Sequence, residues 1–218
     1  GRSQAQTATN TELRRLGATN PSGTREDSSI SGTITQGGSA SIDVASGKTL
    51  TYSGTAISLG ANTLTIAGDG SILSTNALVL DNADSQLTIT GNSILSGAQV
   101  TTALTTGIVI NESTTITTLT VGDTTPVAIA ADKTLSGNVV VNNGGTLQLT
   151  LAGNLGSAVT LNGGALDIDE DSVISGAIVQ GGAALIDVAQ DKTLTYSGAA
   201  LEVGTHTLTL RGGGIWNS

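Results

Sequence analysis

The chain has 218 residues, 11% of them charged, and a formal net charge of −9. Its 8 Lys and Arg residues form no basic stripe, which argues against nucleic acid as a partner. No apolar run approaches the roughly 20 residues that span a bilayer as a helix, and with no Cys there is neither a disulfide framework nor a thiol site. With 2 Tyr, 1 Trp, no Phe and no Met, a core must be built from Leu, Ile, Val and Ala in thin layers. The 30 Gly and the abundant Ser and Thr favour strands and turns over helices.

The first segment, residues 1–29, is polar and lies outside the periodic pattern that follows. Within it "NTELRRLG" (Asn10 to Gly17) predicts a short helix: Asn10 or Thr11 caps it, Leu13 and Leu16 share a face, and Gly17 stops it. The segment is expected to cap the open end of a repeat array, or to act as an arm that docks on a neighbouring chain. The chain starts at Gly1 rather than Met, as a processed or excised form would.

From residue 30 to the end a short unit recurs. Aliphatic residues mark its starts at Ile34, Ile57, Leu78, Val100, Leu119, Val139, Val159, Ile178 and Leu201, in steps of 19 to 23 residues. About eight residues after each start comes an aliphatic-x-aliphatic triplet: Ile42/Val44, Leu64/Ile66, Leu87/Ile89, Ile108/Ile110, Val127/Ile129, Leu147/Leu149, Leu166/Ile168, Ile186/Val188 and Leu208/Leu210. About sixteen residues after each start comes a single aliphatic: Leu50, Ile72, Ile94, Ile116, Leu135, Leu155, Ile174, Leu194 and Ile215. Period-two triplets read as short strands with one face buried. Gly, Asn, Asp and Ser between them supply corners.

A longer repeat overlies the short one. Ile30 to Gly70 aligns without a gap on Ile174 to Gly214, with 26 identities in 41 positions and an offset of 144 residues. Seven short units fill that offset. The predicted fold is therefore all-β: a parallel β-helix (β-solenoid) of about nine coils, each of three short strands, right-handed by strand twist and crossover chirality. Residues 30–218 form this domain, and the duplication is a copied seven-coil block.

The units "VVVNNGGTLQLTLAGNL" and "VTLNGGALDIDEDSVISGA" resemble coils of bacterial surface adhesins, namely autotransporter passenger domains and filamentous-haemagglutinin-like exoproteins. The resemblance covers Ile30 to about Ile215. It implies a right-handed parallel β-helix exported to the cell exterior and used in adhesion, biofilm or surface coating.

The outward positions within the triplets are the candidate sites for chemistry. Asp167 and Asp187 fall there on adjacent coils, a spacing that suits a glycosidase carboxylate pair. Neither clustered Arg nor an aromatic sugar platform accompanies them. Asp167, Asp169 and Asp171 in "DIDED" are the candidate Ca²⁺ ligands, against a plain solvated acidic corner. His206, the only histidine, replaces Asn62 at a turn and reads as a surface residue. Thr63-x-Thr65, Thr88-x-Thr90 and Thr207-x-Thr209 hint at an ice-binding threonine face, which Val109 and Ala128 interrupt.

The pattern thus favours a non-enzymatic structural or adhesive rod with no cofactor beyond the candidate Ca²⁺, and the resemblance implies that it is secreted or on the cell surface. The coils vary only from 19 to 23 residues, so no long receptor-binding loop is inserted. The expected partners are further copies stacked head to tail, other surface components, or carbohydrate. Leu13, Leu16 and Trp216 are the candidate assembly contacts. The alternatives are a β-helix that binds or cleaves polysaccharide and an ice-binding solenoid.

Overall fold

The computed structural model describes residues 27–199, 201 and 203–218. The helix expected at Asn10 to Gly17, with Leu13 and Leu16, lies outside them. The described residues contain 23 strands and no helix. Every ladder between these strands is parallel, so the chain is an all-β solenoid of about nine turns.

The triplets form one nine-stranded sheet: Ala40–Asp43, Thr63–Ala67, Gln86–Ile89, Gly107–Ile110, Thr124–Ile129, Thr146–Leu149, Ala165–Ile168, Ala184–Val188 and Leu208–Gly212. Alternation turns every second side chain inward. Leu64, Leu87, Ile108 and Val127 stack in register, as do Leu147, Leu166 and Ile186. All seven are at most 1% exposed. Each such burial contributes about 1.5–3 kcal/mol.

The stack slips by two residues at three places, where straight columns were expected. Ile42 lies on Ile66, Val127 on Leu149, and Ile186 on Leu210. A slip of two keeps the same face inward, so it costs no burial pattern. At the middle slip Thr125 takes the inward place opposite Leu147, and its hydroxyl donates to the Asp123 carbonyl at 2.9 Å.

The other two walls merge into one fourteen-stranded sheet. In the middle of the rod Ile94–Val100, Thr114–Val121 and Thr134–Asn142 run unbroken around the corner, so these coils have two strands rather than the expected three. The register shifts at Thr117, between Ile116 and Thr118; Gly137, at φ 115°, pairs with Ile116 beside this shift, and a Cβ there would meet the Ile116 carbonyl oxygen at 1.9 Å. Toward both ends the wall divides, as in Ser71–Ser74 with Leu78–Leu80, and Ser172–Ile174 with Ile178–Gln180.

Three column positions are corrected. Leu95, not Ile94, stacks between Ile72 and Ile116, and Ile94 is 44% exposed. Ala98, not Val100, lies between Leu78 and Leu119, because the corner at Ser96 and Gly97 breaks the alternation. Trp216, not Ile215, lies on Leu194; in the duplication Trp216 is the counterpart of Ile72, and Ile215 that of Ser71.

The two copies fold alike down to their polar contacts. The Tyr52 hydroxyl accepts the Ile34 N–H, and the Tyr196 hydroxyl accepts the Ile178 N–H, both at 3.2 Å. Gln36 and Gln180 are both buried and donate to the carbonyls of Thr63 and Thr207. Asp27 and Asp171 accept the N–H groups of Thr49 and Thr193. The repeated "YSG" has a steric reason as well. A Cβ on Gly54 would lie 2.3 Å from the Gly32 carbonyl oxygen, and one on Gly198 2.3 Å from that of Gly176, each also against its own tyrosine ring.

Candidate functional site

The outer face of the nine-stranded sheet carries a polar row across four strands: Gln148, Asp167, Asp187 and Arg211, paired in register. Strand alternation puts these residues outward, since Leu147, Leu166 and Ile186 beside them point in. Asp167 and Asp187 therefore lie on neighbouring strands, as the spacing predicts. Each carboxylate already has a partner. Asp167 Oδ2 accepts from Gln148 Nε2 at 3.3 Å, and Asp187 Oδ2 accepts from Arg211 Nε at 2.6 Å. Arg211 is hidden in the sequence because straight columns place Thr209 beside Asp187; the slip puts Thr209 on Leu185 and Arg211 on Asp187. Arg211 remains 64% exposed, so this ion pair is a surface pair of small energetic weight.

The acidic corner that follows does not gather its three candidate ligands. Asp167 belongs to the outer row. Asp171 Oδ1 accepts the Thr193 N–H at 2.7 Å. Glu170 Oε2 accepts from Lys192 Nζ at 2.5 Å, an arrangement repeated by Glu112 and Lys133 at 2.7 Å. Asp169 is half-buried, and its carboxyl is raised above the usual range, first by burial and then by the negative charges of Asp167, Glu170 and Asp187. Among the described residues no three His, Cys, Asp or Glu side chains come together as a metal-binding group.

Beside the polar row a shallow groove of about 450 Å³ follows the glycine corners, lined among others by Asn143, Gly144, Gly163, Gly164, Thr207 and Thr209. It exists because successive corners use Gly-Gly pairs, which leave no side chain to fill the edge. His206 is exposed in the turn next to this groove, whereas its counterpart Asn62 donates to the Leu59 carbonyl at 2.8 Å. The threonine face is short. Ser41, Thr65 and Thr88 stack, and Val109 and Ala128 follow.

At the C-terminal end Trp216 is half-buried against the core, with its ring 5.9 Å from that of Tyr196 at 53°. Leu210 is 56% exposed, whereas its counterpart Ile66, covered by the strand Gln86–Ile89, is fully buried. Comparison with protein families, curated proteins and solved structures finds no match to the chain.

Proposed function

We propose that the chain is a segment of an extracellular structural and adhesive rod, part of a surface fibre or a self-assembling filament, and not an enzyme. The observation that carries this reading is the regularity of the solenoid: coil follows coil with only short corners, and the two copies repeat the same two-residue slip between Ile42/Ile66 and Ile186/Leu210. A chain selected for an active site would be expected to break such regularity with loops around the reacting groups. Here the outward carboxylates are instead paired within the sheet.

The repeat also supports assembly. A coil shaped to sit on Thr63–Ala67 is shaped to sit on Leu208–Gly212, because Leu208 and Leu210 repeat Leu64 and Ile66 in the duplication. Head-to-tail contacts between copies do not close and so build filaments, and backbone pairing across the joint covers an otherwise exposed edge. Other surface components of like architecture would pair by the same edge.

A second reading, polysaccharide binding, is favoured by the groove and its polar row. Immunogold labelling of producing cells, with a gene deletion beside it, tests the main reading. Label along surface fibres that vanish on deletion supports the rod. Label confined to the cell interior, or polysaccharide cleavage by the purified chain that Asp167→Asn or Asp187→Asn abolishes, would sink it.

A further inference from the structure

The chain has two Asn-Gly dipeptides, Asn143-Gly144 and Asn162-Gly163, and one Asp-Gly, Asp69-Gly70. Such dipeptides rearrange when the glycine nitrogen reaches the preceding side-chain carbonyl carbon, because glycine presents no Cβ to hinder the approach. The fold treats the three differently.

At Asp69-Gly70 the nucleophile is engaged: Gly70 N–H donates to the Val44 carbonyl at 3.0 Å, and Asp69 Oδ1 accepts the Asn92 N–H at 2.9 Å. The glycine is also wedged, since a Cβ on it would lie 2.4 Å from Val44 Cγ1. At Asn162-Gly163 the side chain and the glycine are packed instead: Asn162 Oδ1 lies 2.1 Å from where a Cβ on Gly181 would stand, and Gly163 is half-buried, with Asn143 and the Ala183 carbonyl within 4 Å of its own Cβ position. At Asn143-Gly144 neither restraint exists. Both residues are exposed, Gly144 has no heavy atom within 4 Å of its Cβ position, and its φ is 85°. Among the described residues no hydrogen bond holds the Gly144 N–H or the Asn143 side-chain amide. The one bond of this turn, Gly145 N–H to the Asn142 carbonyl at 2.8 Å, closes the corner while leaving the Asn143-Gly144 peptide free.

We propose that Asn143 is a site of spontaneous, fold-selected deamidation in the native rod. The deprotonated Gly144 nitrogen attacks Asn143 Cγ. A C–N bond forms, the Cγ–NH₂ bond breaks, and ammonia leaves with the nitrogen's proton returned to it. The product is a five-membered imide. Water then opens it at either carbonyl, giving aspartate or isoaspartate, with no change in oxidation state. The corner tolerates both products because it is open to solvent. Each event places a negative charge at the rim of the glycine groove, on a chain that already carries −9.

The test incubates the folded full chain in mildly alkaline buffer and, in parallel, the chain unfolded in urea. Trypsin releases Thr134 to Lys192 as one peptide holding both Asn-Gly sites, so fragment mass spectra compare them within one molecule. The expected result is that Asn143 converts many-fold faster than Asn162 in the folded chain, and that the two convert at similar rates in urea. Asn143→Gln removes the fast conversion and leaves the unfolding midpoint unchanged. Equal rates in the folded chain, a faster Asn162, or no conversion at Asn143 while the urea sample converts at both sites would each overturn the proposal.

Discussion

The Tyr196 hydroxyl lies 3.2 Å from the Ile178 nitrogen and accepts its hydrogen inside the solenoid, a bond that the Tyr52–Ile34 pair reproduces. Tyr196 in turn donates to the Ala199 carbonyl. A tyrosine in a narrow aliphatic tube is therefore a polar fitting for a buried corner. Tyr196→Phe keeps the ring and removes the acceptor, leaving the Ile178 N–H unsatisfied. The expected loss is about 1–3 kcal/mol in denaturant unfolding, with Tyr52→Phe showing a loss of the same order. An unchanged midpoint in both variants would show that the bond contributes nothing.

Gly198→Ala is expected to cost about 2 kcal/mol or more, because the new Cβ meets the Gly176 backbone carbonyl, which has no rotamer to escape by. Gly47→Ala is a useful contrast. It has open space at its Cβ position but a φ of 70°, so only the left-handed backbone opposes it, at about 1 kcal/mol. Thermal unfolding of the two variants side by side checks the order.

Ile108→Asp places a carboxylate between Leu87 and Val127 in the fully buried stack, where its neighbours are aliphatic and offer it no partner. The expected loss exceeds about 4 kcal/mol. Far-ultraviolet circular dichroism and proteolysis should show a chain broken at its middle coils. A stable, protease-resistant variant would contradict the inward placement of Ile108.

Asp169 makes stability depend on pH. Its carboxyl holds its proton more tightly in the folded chain than in the unfolded one, because of burial and the surrounding carboxylates. The favourable contribution of the protonated group is fully present below the ordinary aspartate value of 3.8 and is lost as pH rises through the raised folded value. Asp169→Asn is therefore expected to be more stable than the parent at neutral pH, with the advantage shrinking on acidification. Urea midpoints across that window check the sign; an advantage that grows as pH falls would contradict it.

Much of this architecture is visible in the residues, for a physical reason. A solenoid repeats one short unit, so each inward Leu or Ile is written again about twenty residues on, and Leu64, Leu87, Ile108, Leu147, Leu166 and Ile186 announce their wall. What stays hidden is relative register. Two-residue slips preserve the alternation and leave no mark in it, so the Asp187–Arg211 pair emerges only when Leu210 is seen to lie on Ile186. Corners hide for the opposite reason: Ser96 and Gly97 interrupt the alternation, and Leu95 rather than Ile94 turns inward. The two tyrosines stand in the repeated sequence, yet their purpose depends on backbone groups that sequence does not display.

The rod itself is most directly tested by small-angle X-ray scattering and electron microscopy of the purified chain over a range of concentrations. Nine coils at about 4.8 Å spacing give one segment a length of about 40 Å. The expected result is particles of constant cross-section whose length grows with concentration in steps of that segment. Particles that stay at one segment length at every concentration, or that grow in thickness instead of length, would contradict it.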